Sequence, residues 1–359
     1  MAWLPVLIWV SMPLVFRSFQ MNLQENTMGV FILASVYVVL KGLEQRRYSY
    51  LYMILGGVLV FLATLCKGIT GLFPLVAVAV FWVSGGNIRF QKMIVFSLIL
   101  LLVPVLLYVF VLLNDNAYES FGFYYRARLV ERIINDPVQE SHVYIVFKLL
   151  LEILPALLVS FIVFLARRNK MGRGGHLKER RLIFFFLLLG LAGSLPLALT
   201  LVQRGFYLVP SLPFFALAFS LFIAIYMVGV VEKFSQRAHN FHLFSIFCIS
   251  LLIGGIVYTG LQVGKTERDQ NILHDTYLIG ENVEEGSRVL LEAGFSPADP
   301  MKHWNLELYL ARYFNISLGA SPKETSYLIV FEGSSLPDPK LFEAVPLDTR
   351  TYHLYRKLE

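Results

Sequence analysis

Between Tyr48 and Asn87 the sequence carries one charged residue, Lys67. The shortage runs through the whole chain. Charged residues make up 16% of its 359 positions, against roughly a quarter in an ordinary soluble domain, while 57% are hydrophobic. A soluble domain of this size has no use for so much apolar surface, so the composition indicates a polytopic membrane protein. Cysteine is nearly absent: Cys66 and Cys248 both lie in apolar runs, which excludes a disulfide framework and a thiolate metal site. There is no Walker loop, no dinucleotide glycine motif, no Ser-His-Asp set and no paired-histidine spacing. His274, His303 and His353 read as packing or surface histidines. A basic n-region is missing after Met1, so a cleavable signal peptide is not expected and the helices themselves direct insertion. The formal charge of +6 does not point to nucleic acid, because the cations cluster in short loops between apolar runs.

Those runs are what the sequence has in abundance. They fall near 2–16, 28–40, 49–66, 69–84, 93–113, 144–166, 182–202, 206–231 and 243–263, which gives about nine expected transmembrane helices. Lys41, Arg46 and Arg47 follow the second run, and Arg89 and Lys92 the fourth. A basic loop at 167–181 follows the sixth, with Lys233 and Arg237 after the eighth. These are alternate loops, so all share one side, which positive charge marks as cytoplasmic. The outer side then holds 17–27, the Lys67 turn, the loop 114–143, Arg204 and everything after about 264. The expected fold is all-α in the membrane over 1–264. A small α/β extracytoplasmic domain over 265–359 would carry strands at Arg288 and Tyr327, a helix from Trp304 and a last strand at Tyr352.

The outer face is poor in titratable groups, so the few present stand out. Glu25 precedes a span, where an acid suits the positive helix end and leaves room for a catalytic role. Lys67 and Arg204 are isolated cations at tight turns. The loop 114–143 alternates aromatics with cations, including Tyr124, Tyr125, Arg126 and Arg128, as an interfacial helix does. Lys148 and Glu152 lie one turn apart on one face inside a span and read first as a self-neutralising pair. Cations at headgroup depth suit a lipid-linked phosphate, and a nearby carboxylate suits a general base acting on an acceptor hydroxyl or amine.

Three segments carry a resemblance. Leu62–Pro74 (LATLCKGITGLFP) looks like the LxKG(P/I)xGLxP hairpin of the GT-C glycosyltransferases. Gln203–Pro213 (QRGFYLVPSLP) resembles their (K/R)xxYLLPxLP segment, and Glu25–Phe31 resembles the acid before a span in their second outer loop. The similarity covers most of residues 1–230 and is to the polyprenyl-phosphate-sugar enzymes, such as protein mannosyltransferases and the lipid A aminoarabinose transferase. It implies sugar transfer from a polyprenyl-phosphate donor to a lipid, glycan or protein acceptor on the outer, periplasmic side of a bacterial cytoplasmic membrane. Lys67, Arg204 and Tyr207 would bind the donor phosphate, and Glu25 would be the catalytic carboxylate. Tyr124, Tyr125, Arg126 and Arg128 would line the donor entrance. A divalent metal is compatible with such sites, although the sequence shows no ligand set. The family's first outer loop, which carries its usual catalytic acid, has no counterpart. The resemblance therefore implies about 80–90 further residues ahead of Met1, at ~20 per span plus a loop. Two rival readings are a non-enzymatic transporter or flippase of lipid-linked glycans and a truncated, inactive membrane paralogue.

Overall fold

The computed structural model describes residues 2–45, 47–124, 143–167, 177–199, 204–235, 238–265, 269–291, 304–319, 326–332 and 338–358. The chain forms two compact units, Met1–Leu243 and Phe244–Glu359.

The first unit is helical. Six helical stretches among the described residues of the chain are long and apolar enough to cross a membrane, five of them in this unit, which makes this a multi-pass membrane protein. The first apolar run departs from a single span. It breaks into α1 (Leu4–Val10) and α2 (Pro13–Gln20), because Pro13 cannot continue a helix but fits the first turn of a new one. Next come α3 (Gln24–Glu44) and α4 (Ser49–Lys67), the most extensively packed pair. At Gly68 the chain reverses, with φ +74° and ψ −140°, a conformation that glycine alone adopts without strain. A 3₁₀ segment, Gly68–Val76, then runs back along α4 into α5 (Ala77–Val83). Gly71 lies so close to α4 that a Cβ there would sit 2.8 Å from the backbone of Ala63 and Thr64. Sixteen residues look short for a span. At ~2.0 Å rise in the 3₁₀ part and ~1.5 Å in the α part they extend about 28 Å, close to the ~30 Å hydrocarbon thickness.

Helices α6 (Phe90–Leu112), α7 (Asp115–Tyr124), α8 (Tyr144–Arg167) and α9 (Leu177–Ser194) follow. Further 3₁₀ turns lie at Leu195–Leu199 and Gly205–Leu208, and the latter leads into α10 (Leu212–Ser235). Two hydrophobic cores form. One joins α1, α2, α8 and α10 around Ile8, Val15, Ile145 and Phe215. The other joins α3, α4, α5, α6 and α9 around Ile32, Met53, Phe96 and Phe185. Helices α9 and α10 contribute to both.

Described residues at the edges of three of the four basic loops meet at one end of this unit. Lys178 pairs with Glu44 at 3.8 Å, and the Arg181 side chain reaches the Gly85 turn. Glu25 and Lys67 lie at the opposite ends of α3 and α4. Lys233 and Arg237 fall where side chains are outside the described residues.

The chain passes from the first unit into the second along α11 (Ala238–Gln262), whose stretch Phe241–Gln262 is the sixth of membrane length. Then come α12 (Gln270–Glu281), β1 (Arg288–Leu291), α13 (Trp304–Phe314), β2 (Ser317–Gly319), β3 (Tyr327–Phe331), β4 (Phe342–Ala344) and β5 (Tyr352–Lys357). The sheet order is β2-β1-β3-β5-β4, parallel through β2, β1 and β3 and antiparallel through β5 and β4. Ile279, Val289, Leu306, Leu310, Ile329 and Leu354 form its core. Asp275, fully buried on α12, accepts the backbone N–H groups of Arg350, Thr351 and Tyr352 at 2.7–3.0 Å, tying the helix to β5.

Candidate functional site

The site lies at the seam between the two cores of the helical unit. Lys67, the last residue of α4, is placed by the reversal at Gly68. Its ammonium donates to Glu25 Oε1 in an ion pair that is nearly dry on one side: the Glu25 side chain is 1% exposed, that of Lys67 27%. Glu25 sits in the first turn of α3, where the helix dipole also favours a negative charge. Its other oxygen, Oε2, is buried and has no hydrogen-bond partner among the described residues. A buried carboxylate oxygen left unpaired is costly, so it marks a place where a donor group is wanted.

The 3₁₀ turn after Arg204 supplies the opposite wall. Lys67 Nζ lies 4.7 Å from the Phe206 ring centroid and 5.4 Å from that of Tyr207. The two rings meet edge to face, with centroids 4.9 Å apart. Arg204 places its guanidinium carbon 6.0 Å from the same Phe206 ring. Cations at these distances gain from ring quadrupoles, most where water is thin. The turn itself is braced. Gly29 on α3 stands close to Pro210, and the Ser194 and Ser211 hydroxyls pair at 2.7 Å.

On its other flank Lys67 opens onto a groove of about 480 Å³ between the end of α4, the 3₁₀ segment, α6 and α7. Leu65, Ile69, Leu72 and Phe121 give it an apolar lining, and Tyr108 and Thr64 a polar one. The Tyr108 hydroxyl donates to Thr64 Oγ1 at 2.7 Å, joining α6 to α4.

Of the residues singled out from sequence, Glu25, Lys67, Tyr207 and Arg204 are thus brought to one place from three separated segments. Tyr124 closes α7 with its side chain outside the description, and Tyr125, Arg126 and Arg128 lie outside the described residues. Sequence reasoning missed Phe206, the ring that both cations share; its only signal was its place between Arg204 and Tyr207. It missed Tyr108 and Thr64 as well, and no local pattern distinguishes them from other hydroxyl-bearing residues in the apolar helices. Among the described residues no three His, Cys, Asp or Glu side chains gather, and Glu25 is held by Lys67, so these residues do not make a divalent-metal site.

Comparison with known proteins gives no further constraint: no protein-family model, no curated protein and no solved structure matches the chain.

Proposed function

We propose that this protein is an integral-membrane glycosyltransferase of the GT-C type, moving a sugar from a polyprenyl-phosphate donor to an acceptor on the outer side of a bacterial cytoplasmic membrane. One observation carries the reading. The acid, the two cations and the tyrosine of three separate sequence motifs share one small site, with an apolar groove leading from it. Lys67 and Arg204 would neutralise the donor phosphate, the lysine as a point charge and the arginine as a two-pronged donor. The prenyl chain would follow Leu65, Ile69 and Leu72 toward the lipid.

The ion pair gives the order of events. Lys67 serves Glu25 when no phosphate is bound; a donor phosphate competes for that ammonium and releases the carboxylate. Glu25 then takes the proton of the acceptor hydroxyl or amine as its oxygen or nitrogen bonds to the anomeric carbon. The bond from that carbon to the phosphate oxygen breaks, and its electron pair leaves with the polyprenyl phosphate. The extracytoplasmic placement of 265–359 is part of the same proposal.

Reconstitution in vesicles with a radiolabelled polyprenyl-phosphate sugar tests it. Lys67→Ala and Arg204→Ala should each abolish transfer while insertion persists; full activity in both variants would remove the donor site. A transporter of lipid-linked glycans is the second reading. It is favoured by the discontinuous α1–α2 helix and the 3₁₀ segment, since broken helices are common where transporters bind substrate. Movement of the lipid-linked sugar between leaflets without sugar transfer would select it.

A further inference from the structure

A second ion pair lies against the same turn. Lys148 Nζ on α8 forms an ion pair with Glu152 Oε1 at 2.9 Å, and Glu152 Oε2 accepts the Leu14 N–H at 2.7 Å. Leu14 belongs to the first turn of α2, so the carboxylate caps that helix. Both of its oxygens are used, which a side chain only 3% exposed requires. Lys148 differs. Its side chain is 31% exposed, and among the described residues one ion pair engages an ammonium with three donors. Its stem passes beneath Gly205, with Cε 3.3 Å from where a Cβ on that glycine would stand. Gly205 joins Arg204 to Phe206, the ring against which Lys67 and Arg204 both rest. Any side chain at 205 would push the lysine away from the turn.

Resting on the donor-site reading above, we propose that Lys148 is a third cation of this anion site, held there by Glu152, and that it contacts a phosphate oxyanion of the bound ligand. A helix cap alone needs only an acceptor at 152. The lysine adds positive charge, so that Lys67, Lys148 and Arg204 outnumber Glu25 and Glu152 by one. That balance suits an anion of single charge, as in a phosphodiester joining a polyprenol to a sugar.

The test uses the full chain in neutral phosphatidylcholine nanodiscs, titrated with a polyprenyl phosphate and separately with inorganic phosphate. The double variant Lys148→Met/Glu152→Gln keeps the apolar stem beneath Gly205 and an acceptor for Leu14, and leaves no unpaired charge. It should fold as the parent does and bind the lipid about tenfold more weakly, the scale of one charge-assisted hydrogen bond. Its binding should also depend less steeply on salt, and Lys148→Arg should restore most of the affinity. If inorganic phosphate binds the parent, it should show the same loss; a loss for the lipid alone places the contact on the lipid-linked headgroup. Parent-like affinity in the double variant overturns the assignment. So does a full loss in Lys148→Arg, which would make shape and not charge the cause. If the parent binds neither probe, the donor-site reading itself fails, and that outcome is separate from the other two.

Discussion

Glu25 and Lys67 stand 42 positions apart in sequence and form an ion pair, with the Phe206 and Tyr207 rings on the ammonium's other flank. The carboxylate is buried and the ammonium partly open, so the two partners are not equivalent. Removing the lysine leaves a buried charge with nothing to balance it, whereas removing both charges does not.

The first prediction follows from that asymmetry. Lys67→Met should destabilise the helical unit by about 3–5 kcal/mol, the usual penalty for orphaning a buried charge. Lys67→Met/Glu25→Gln should recover most of that loss. Thermal unfolding in detergent reads both. Equal melting temperatures for the single and double variants would show that Glu25 is not charged in the resting protein.

The rings make a second prediction. Phe206→Leu keeps an apolar filler but removes the quadrupole shared by Lys67 and Arg204. It should weaken polyprenyl-phosphate binding by about 0.5–2 kcal/mol, roughly two- to thirtyfold. Tyr207→Leu should act in the same direction through Lys67 alone. An unchanged donor KM in both variants would show that the rings only pack.

The hairpin supplies a third. Gly68→Ala forces a side chain into a backbone conformation costing about 1–3 kcal/mol. Gly71→Ala should be worse, because its Cβ would press on the backbone of Ala63 and Thr64, which cannot swing aside as a side chain does. Melting temperatures should fall in the order parent, Gly68→Ala, Gly71→Ala, and lipid binding should weaken with them.

The fourth concerns the second unit. Burial, and then the charge of Asp275, push the Tyr352 hydroxyl above its ordinary value of 10.0. The folded form therefore holds the phenol proton more tightly than the unfolded form does. Its contribution is complete below about pH 10 and is lost as pH rises from there through the folded value. Thermal unfolding of the full chain should show an alkaline decline in the transition of this unit, and Tyr352→Phe should make the decline shallower. An identical decline in the variant would trace it to other groups.

Much of this architecture is visible in the sequence because its signals are local. The hairpin at Lys67-Gly68 shows as one cation inside a double-length apolar run, and β1, β3, β5 and α13 show as periodic segments bounded by polar ones. Short edge strands do not: Ser317–Gly319 and Phe342–Ala344 are three residues each, too short to display an alternation. The break between α1 and α2 was hidden because Pro13 lies within an unbroken apolar run. At the site, Glu25, Lys67, Arg204 and Tyr207 could be named because each sits in a motif, but nothing in the sequence says they touch. The Glu152 contact to Leu14 spans 138 positions, and only the packing of α2 against α8 creates it.

The 3₁₀ segment after Lys67 gives its motif a geometric meaning. Three residues make one turn of such a helix, so side chains three apart eclipse one another. Gly68, Gly71 and Pro74 have that spacing, and Gly71 and Pro74 are its buried members. The recurrence of small or ring-closed residues at every third position is therefore a ruler for helix type, written along the edge that meets α4. An inserted residue between Gly71 and Pro74 would rotate everything beyond it by about 120° and turn that edge toward lipid. A deletion would do the same in the opposite sense, so away from Gly68, Gly71 and Pro74 this stretch should accept substitutions far more readily than changes of length.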